Sequence, residues 1–354
     1  MSSTVRFRDR SRVVRLAAIG TATLLAAGLA ACSSSATSND AGSSGSSSAV
    51  VSASGAKTTT VAVGALSNGA AQEIDLSIPE VASIRAELPA SIAGSGQLVI
   101  GEGALPSGFP PLAYVGSDQR TLTGSEPDLG RLVAAVLGLK PVIANATWDN
   151  LFVGIDSGRT DVGFSNITDT ELRKEKYDFA SYRQDNLGFE VLASSSWNFA
   201  GNYENLAGKT VAVGSGTNQE KILLEWQKQL AGQGKKLAIT YFPDENSTYL
   251  ALDSGKIDAY FAPNPGIQYH ITQDAKTPNP TRNAGKWSGA GASLQGLIAA
   301  TTKKGNGLVK PIADAINYLI RNGDYARWLA AWNLSNEAVA TSQVNPPGLP
   351  LSNS

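Results

Sequence analysis

The sequence predicts an α/β fold made of two lobes. From Leu98 onward, short apolar runs typical of buried strands alternate with runs of helical periodicity, which predicts helices packed on mainly parallel sheets. Residues 149–162 resemble residues 246–259, and each copy predicts a helix that is ended by glycine and followed by a strand. Two lobes built on one plan would explain this repeat and place a ligand cleft between them, whereas a chance match of two common turns is the alternative.

Composition and charge limit the classes of function. The chain has 354 residues, of which 42% are hydrophobic, so it is long enough for about two domains of ordinary size. Its formal net charge is -1 and its isoelectric point is near 6.0, which provides no basic face to neutralise phosphates. Nucleic acid is therefore not an expected partner.

The N-terminal segment, residues 1–31, predicts an export signal. Five arginines precede the apolar run 16–31, which is shorter than the roughly 20 residues of a membrane-spanning helix, although a permanent anchor helix is the alternative. Cys32, the only cysteine, directly follows small residues in a pattern that resembles the bacterial lipobox. We therefore expect Cys32 to carry a lipid as the first mature residue, with an incidental apolar thiol as the alternative. Lipidation would exclude disulfides, zinc–thiolate sites and a cysteine nucleophile.

Two segments before the alternating region differ from it in composition. Residues 32–60 consist mainly of Ser, Gly, Ala and Thr, so they lack the apolar side chains that offset the entropy of folding, and they predict a flexible tether. Residues 61–95 form an N-terminal extension in which Ile84, Leu88 and Ile92 recur at helical spacing. We expect a short amphipathic piece there that packs against the domain.

The predicted elements of the core follow in order. A buried-type strand at 98–100 leads into the Gly- and Pro-rich loop 101–111, which is of the kind that carries binding groups. Ser125 is expected to cap a helix whose apolar stripe lies within 129–137. The C-terminal part predicts a returning strand, two closing helices and a polar tail at 297–301, 311–322, 325–333 and 335–354.

Several motifs follow one another in a characteristic order between residues 98 and 334. They are FPPLAY at 109–114, GSEPDL at 124–129, WDNL at 148–151, NITDTELR at 166–173, DF at 178–179, and GDY at 323–325 with Trp332. Together they resemble the motifs of the family 3 solute-binding proteins, which capture polar amino acids and related compounds for ABC importers.

The resemblance implies an α/β fold of the periplasmic-binding-protein-like type II, also called a Venus flytrap. Two α/β lobes would be joined by a two-strand hinge. Lobe 1 would comprise residues 96–186 and 292–334, and lobe 2 would comprise residues 187–291. Closure of the lobes on a ligand would be the working motion.

Residues 166–173 predict a carboxylate-binding site. The strand end offers backbone N–H groups at Asn166 and Ile167 and the hydroxyl of Thr168. Arg173 offers a planar fork of donors that suits a carboxylate. The resemblance implies that these positions hold a ligand carboxylate, and a surface salt-bridge role for Arg173 is the alternative.

Two further groups complete the predicted ligand site. The resemblance places Phe109 and Trp148 as walls on either side of the ligand, although both could belong to the core. It also implies ligand contacts from Thr217, Asn218 and Gln219, which precede a helix whose N-terminus favours an anion or a polar acceptor. This Gly-rich loop lacks the Lys-Ser or Lys-Thr of a phosphate loop, so nucleotide binding is not expected.

The clearest departure from the family pattern is Pro263, beside Asn264, which we expect to contact the ligand. Amino-acid binders of the family carry an acidic residue there, which pairs with the ligand α-amino group. A buried ammonium without a partner is costly, so either the ligand lacks that amine or another acid, such as Glu102 or Glu126, takes the role. Both could instead be structural carboxylates. The only histidine, His270, is expected to be structural, and neither a metal nor a cofactor is expected.

These observations predict capture rather than catalysis. The expected protein is a lipid-anchored, extracytoplasmic, monomeric component of an ABC importer that binds a polar amino acid or a related small carboxylate, with an ABC permease as its membrane partner. One alternative is a cyclohexadienyl-dehydratase-like enzyme on the same fold, with Glu102 or Glu126 as the catalytic acid. Another is a lipoprotein that senses a ligand and signals to a partner.

Overall fold

A computed structural model describes residues 49–51 and 57–352, which lie in the compact unit Ser46–Ser354. The predicted export signal at 1–31, the predicted lipidation site Cys32 and most of the predicted tether lie outside the described residues. Among the residues that are described, no helix is both long and apolar enough to cross a membrane.

Strands and helices alternate along most of the described chain. The strands are β1 Ala49–Val51, β2 Lys57–Val63, β3 Ile74–Pro79, β4 Gln97–Leu105, β5 Tyr114–Val115, β6 Leu122–Thr123, β7 Lys140–Thr147, β8 Val162–Gly163, β9 Tyr177–Leu192, β10 Thr210–Ala212, β11 Ala238–Thr240, β12 Ala259–Pro263, β13 Thr281–Ser288 and β14 Gly296–Lys303. The α-helices are α1 Ala82–Arg85, α2 Ala90–Ser95, α3 Ser125–Val136, α4 Trp148–Ser157, α5 Asn218–Gly232, α6 Glu245–Asp253, α7 Asn264–Asp274, α8 Val309–Asn322 and α9 Asp324–Ala331. Short 3₁₀ turns lie at Arg173–Glu175, Tyr203–Leu206 and Ser335–Glu337.

One long strand, β9, belongs to both lobes. Its first part pairs antiparallel with β14, up to Asp185 opposite Gly296. Its second part pairs antiparallel with β12 and β13, from Asn186 and Leu187 onward. The mixed sheet, ordered β11-β10-β12-β9-β14-β8-β4-β7 with β13 beside β9, is thereby divided into two halves. Because the chain returns between β13 and β14, two connections join the halves.

Parallel strands lie at the centre of each lobe. β4 pairs in parallel with β7 and β8 in the first lobe, and β10 pairs in parallel with β11 and β12 in the second. The sequence repeat folds as predicted into helix–strand units, α4 with β8 and α6 with β12. The glycines that follow the two helices have φ angles of 74° at Gly158 and 69° at Gly255. Loops at the carboxyl ends of such parallel strands are the usual ligand positions in α/β sheets.

Helix α3 begins differently from the prediction that Ser125 caps it. The N-cap is Gly124, and Ser125 is the first helical residue and is fully buried. Gly124 has a φ of 132°, and a Cβ there would lie 2.1 Å from the carbonyl oxygen of Leu112, so only glycine fits. The apolar stripe that follows is fully buried, as predicted, with Leu129 and Leu132 in the first-lobe core.

The N-terminal extension is part of the folded first lobe. β2 pairs antiparallel with β3, and Val63, Leu76 and Ile78 are fully buried in the same core as α3. β2 begins at Lys57, inside the segment predicted to be a tether, because this β-branched run pairs with β3 and buries Val61 and Val63 on either side of the exposed Ala62. The expected amphipathic piece is present as the short helices α1 and α2, with Ile84 buried.

The C-terminal segment, defined here as residues 335–352, packs on the fold, although its composition predicts a polar tail. Glu337 is buried and forms an ion pair with Arg183 in β9. Val344 bridges to Ala180 of the same strand. Leu349 is fully buried among the core residues of the second lobe. Composition could not reveal these contacts, because the Glu337 partner lies 154 positions earlier in the chain.

Candidate ligand-binding cleft

A cleft of about 360 Å³ lies between the two lobes. The first lobe contributes the loop after β4, the first turn of α4 and the strand end at Ser165 and Asn166. The second lobe contributes the loop before α5, the start of α6 and the end of β12. Most of these segments follow carboxyl ends of parallel strands, where α/β proteins usually bind ligands.

The cleft brings together predicted ligand-binding residues from both lobes. Those that line it are Phe109, Trp148, Asn166, Thr217, Asn218 and Gln219. The Trp148 indole nitrogen donates to the carbonyl of Gly216 at 3.4 Å. Thr217 caps α5 by accepting from the N–H of Glu220 at 3.2 Å. The first amide groups of α5 have no acceptor within the helix, so they are available beside the cleft.

Arg173 does not line the cleft itself but a neighbouring cavity beside the start of α5, and the two cavities share Thr217 and Asn218. Its guanidinium is 5.4 Å from the ring centroid of Trp148 and 5.3 Å from that of Phe152. Nη1 donates to the carbonyl of Thr168 at 2.9 Å, and Nη2 donates to the carbonyl of Gly216 at 3.3 Å. Burial lowers the pKa of Arg173 to about 10, so the group stays charged at neutral pH. A charged guanidinium is thus held between the lobes by neutral carbonyls.

Two predicted ligand-binding residues converge on Asp185, which the sequence analysis did not identify. Thr168 Oγ1 donates to Asp185 Oδ2 at 2.7 Å, and Asn218 Nδ2 donates to the same oxygen at 3.0 Å. Asp185 is buried where β9 passes between the lobes, and burial raises its pKa to about 6. The Thr168 hydroxyl is therefore directed at the hinge. The polar stretch RQDN at 183–186 lies in the middle of β9, but it does not distinguish Asp185 from the other acids of that strand, Asp178 and Glu190.

Some predicted ligand-binding residues lie beneath the cleft surface. Ile167 and Thr168 are buried, and the Asn264 side-chain oxygen accepts from Asn283 at 3.3 Å. Glu102 is fully buried, and neither of its carboxylate oxygens has a hydrogen-bond partner among the described residues. Burial, followed by the charge of Glu126, raises the pKa of Glu102 well above 4.5. Its nearest charged groups are on α3, so its position does not support the predicted contact with a ligand.

Glu126 lines the cleft but is bound within a buried network. Its carboxylate accepts from the N–H of Asn166 at 2.9 Å, from Arg183 Nη2 at 3.0 Å and from the hydroxyl of Tyr182. Arg183 also pairs with Glu337 and donates to the side-chain oxygen of Asn166. The network joins α3, β9 and the C-terminal segment, which gives Glu126 a structural role.

Glu245, a carboxylate that the sequence analysis missed, also lines the cleft. It begins α6, and its Oε1 accepts from the Tyr260 hydroxyl at 2.5 Å. Its Oε2 is buried without a hydrogen bond in the described structure, although the Tyr249 side chain is close enough to lower the pKa. Burial outweighs this and raises the pKa of Glu245 to about 7. Pro263 also lines the cleft but adds no charge.

His270 lies behind Glu245 and has structural contacts, in line with its predicted role. Its Nδ1 is 2.6 Å from Glu190 Oε1, and its ring stacks on Tyr249 with the centroids 3.5 Å apart. Burial alone would lower the pKa of His270, but the hydrogen bond and charge of Glu190 raise it above 6.5. Within the described ranges, no group of three or more His, Cys, Asp or Glu side chains is arranged to hold a metal ion.

A two-lobed α/β molecule with two connections between its lobes and a cleft between them has the periplasmic-binding-protein-like type II fold. Residues 104–335 match the bacterial extracellular solute-binding proteins, family 3, and the chain belongs to that family. The match runs from the end of β4 to the last 3₁₀ turn, so it includes both sides of the cleft.

Related proteins bear the names of amino-acid binders. The L-cystine-binding protein TcyJ of Escherichia coli (strain K12) is 28% identical over 239 residues, which cover 67% of this chain and 82% of the relative. The arginine-binding protein ArgT of Corynebacterium glutamicum is 27% identical over 274 residues, covering 75% and 83%. The structure of AbpA, an amino acid ABC transporter substrate-binding protein from Streptococcus pneumoniae bound to L-arginine, shares the fold with a TM-score of 0.57, 21% identity and coverage of 70% and 99%.

Proposed function

We propose that this protein captures an amino acid or a related small carboxylate in the interlobe cleft and delivers it to an ABC permease. The observation that carries the proposal is Arg173, whose charged guanidinium lies at the lobe junction beside the N-terminus of α5. Both groups attract an anion, and they come from different lobes. A bound carboxylate would therefore bridge the lobes and favour the closed form that a permease recognises.

The surroundings of Arg173 support this role because they preorganise its donors. Trp148 and Phe152 hold the guanidinium, and the Thr168 carbonyl fixes Nη1. Little side-chain freedom then remains to be lost when a ligand binds. A carboxylate between Arg173 and the first amides of α5 would exchange the neutral contact with Gly216 for charge-assisted hydrogen bonds, which are stronger.

The proposal includes an extracytoplasmic location with a lipid anchor at Cys32. Its support is the sequence, in which arginines, an apolar run and small residues precede the only cysteine. The Ser- and Gly-rich residues after Cys32 would act as a spacer between the membrane and the binding domain. We expect the monomer to dock on the permease.

The two acids that the sequence suggests for the dehydratase alternative are not placed for it. An enzyme of that kind needs an acid that can exchange a proton with the ligand. Glu126 is held by Arg183 and Tyr182, and Glu102 is fully buried and does not line the cleft. Glu245 lines the cleft with a pKa raised to about 7, so it is the acid that such an enzyme would use, and turnover of prephenate or arogenate decides between the two functions. A ligand-sensing lipoprotein would use the same cleft and differ only in its partner, and no specific contact favours it.

Calorimetric titration of the purified full chain tests the proposal. The panel is a set of L-amino acids, each with the amine that lacks its carboxylate. We expect an amino acid to bind at least about 30-fold more tightly than its matched amine, because a charge-assisted hydrogen bond in a dry site contributes about 2 kcal/mol. Arg173→Ala should cause a similar loss of affinity, whereas the exposed Arg159→Ala should bind normally.

A charge-conserving variant separates a loss of binding from a loss of folding, and other results would contradict the carboxylate assignment. Arg173→Lys keeps the charge but not the planar fork, so an intermediate loss of affinity at an unchanged melting temperature would separate a binding effect from a folding effect. Binding of only the amines, or normal binding by Arg173→Ala, would contradict the carboxylate assignment. Turnover of prephenate or arogenate would establish the enzyme alternative instead.

A further inference from the structure

We propose that Glu245 binds a positively charged group of the ligand, in a part of the interlobe region that Arg173 does not border. The ligand would then be an amino acid or related carboxylate that carries an ammonium or guanidinium at the far end of its chain. This assignment deepens the proposed function and rests on it.

The other acidic side chains of the cleft are already engaged or exposed. Those that line it among the described residues are Glu126, Asp149, Asp244 and Glu245. Glu126 is paired with Arg183, and Asp244 caps α6 by accepting from the N–H and hydroxyl of Ser247 at 2.8 and 3.1 Å. Asp149 is exposed. Glu245 alone combines a place on the cleft wall with a buried carboxylate oxygen that accepts no hydrogen bond there.

The negative charge around Glu245 is not balanced within the described structure. Among the described residues, no lysine or arginine forms an ion pair with Glu245 or with the fully buried Glu190, which lies close enough to raise the Glu245 pKa. Glu190 accepts from Thr281 and contacts His270, each at 2.6 Å. A protonated His270 already faces Glu190, Asp253 and Asp274, so it does not also balance Glu245 when that group is ionised. A cationic ligand group would supply the missing charge, and a buried carboxylate favours such a partner strongly.

The shape of the site suits a cation. A second cavity continues from the cleft between α6, α7 and the loop after β4, and it shares Ser107, Gly108, Phe109 and Glu245 with the cleft. Phe109 and Tyr269 line this cavity, together with Tyr249, whose ring is stacked on His270. Aromatic rings beside a carboxylate favour an ammonium or guanidinium over a neutral polar group.

The position of Glu245 requires the ligand charges to be separated. The cavity at Arg173 shares Thr217 and Asn218 with the cleft but not Glu245, so the two charged groups border different parts of the interlobe region. Pro263 is the position at which the family pattern has the partner of the ligand α-amino group. Tyr260, which donates to Glu245, precedes Pro263 by three residues on β12, which is about 10 Å along a strand. A cation at Glu245 is therefore distal to the carboxylate and is not a group attached at the adjacent carbon.

The test uses ligands that match in shape and differ in charge. L-Arginine carries a distal guanidinium, and L-citrulline replaces it with a neutral urea group of the same outline; 4-guanidinobutanoate is compared in the same way with 4-ureidobutanoate. Titration of the full chain should show that at least one guanidinium compound binds about 10- to 100-fold more tightly than its own urea analogue. Glu245→Gln keeps the size and the hydrogen-bonding capacity, and it should remove most of this preference without weakening the binding of the urea analogue.

Control variants separate charge loss from misfolding. Glu204→Gln removes a carboxylate from an exposed position of the same lobe and should leave the preference intact. Glu245→Asp keeps the charge on a shorter side chain, so it should retain more of the preference than Glu245→Gln. The assignment is overturned if Glu204→Gln also removes the preference and Glu245→Asp retains no more of it than Glu245→Gln.

The outcomes also distinguish this assignment from the function on which it rests. If citrulline or another neutral amino acid binds as tightly as arginine and still depends on Arg173, capture of a carboxylate stands and the cation subsite is wrong. If Glu245→Gln leaves the preference for the guanidinium unchanged, another group recognises the cation, and Glu245 is likewise ruled out. If no carboxylate compound binds, both proposals fail.

Discussion

Several carboxyl groups of this protein are buried without a full set of hydrogen bonds. Glu102, Asp169 and Glu245 each have at least one buried oxygen that accepts no hydrogen bond in the described structure. Removal from water penalises the charged form of a carboxyl group, so its pKa rises on folding. Asp169 is the clearest case outside the cleft, because it is fully buried with Lys174 Nζ at 3.3 Å.

Asp169 should make stability fall as pH rises. Burial, which outweighs the opposing charge of Lys174, raises the pKa of Asp169 from 3.8 to about 7. Between about pH 4 and pH 7 the folded state therefore binds more protons than the unfolded state, and the free energy of unfolding decreases with pH across that window and levels off above it. Asp169→Asn is neutral throughout, so its stability relative to the parent should increase from pH 4.5 to pH 7.5. Urea unfolding at a series of pH values measures this difference.

Comparison with the parent removes the contributions of groups that both proteins share. The exposed Asp75→Asn is the control for loss of a surface carboxylate. A difference between Asp169→Asn and the parent that stays constant with pH, or that decreases as pH rises, would show that Asp169 is ionised in the folded protein.

The sequence predicts those cleft residues whose role follows from a local pattern, and it does not predict those whose role depends on contacts formed by folding. Thr217 caps α5, and Asn218 and Gln219 are its first residues, so the local pattern places their polar groups near free amides. Glu245 and Asp185 acquire their surroundings only through folding, which brings Tyr260 and Glu190 to the first and Thr168 and Asn218 to the second. No local pattern distinguishes them from ordinary helix-start or strand acids.

Among the elements, α3 matters to the site because it carries Glu126 and begins at Gly124. Gly124→Ala should destabilise the fold by about 3 kcal/mol or more, since the new Cβ would lie 2.1 Å from the Leu112 carbonyl oxygen and the φ of 132° is strained for alanine. Gly158→Ala at the end of α4 is the matched control. Its φ of 74° is left-handed but no atom lies within 4 Å of the new Cβ, so we expect about 1 kcal/mol. Chemical denaturation of the full chain measures both, and equal losses would contradict the clash at Gly124.

The elements that sequence predicted share strong local signals. The periodicity of apolar residues predicts the stripe of α3. The glycines after α4 and α6 predict where those helices end, because the turn that follows needs a positive φ. Where β2 and β3 form a hairpin, the sequence predicts only an N-terminal extension. The apolar residues of this hairpin become part of a core only when they pack against α3, and sequence does not show that contact. The C-terminal segment lacks periodicity altogether, and its order comes from long-range pairing with β9.

For the whole molecule, the C-terminal segment connects both lobes outside the hinge strands. The backbone of Leu349 pairs with the first lobe, where its N–H donates to the Asp169 carbonyl at 3.1 Å and its carbonyl accepts from Glu171 at 3.0 Å. Its side chain lies in the core of the second lobe, and Lys221 of α5 donates to the Pro350 carbonyl at 2.7 Å. One residue thus holds both lobes, which favours the closed arrangement.

Leu349→Ala should therefore shift the molecule toward an open form. It removes the contact with the second lobe but keeps the backbone pairing with the first, and truncation of a buried leucine costs about 2–5 kcal/mol. If part of that cost falls on the closed form alone, ligand affinity should drop at least about tenfold, and the ligand-free radius of gyration should increase in solution scattering. Leu351→Ala, at a side chain that is 62% exposed, should change neither quantity. A lower melting temperature with unchanged affinity and radius would mean that Leu349 stabilises the fold without favouring closure.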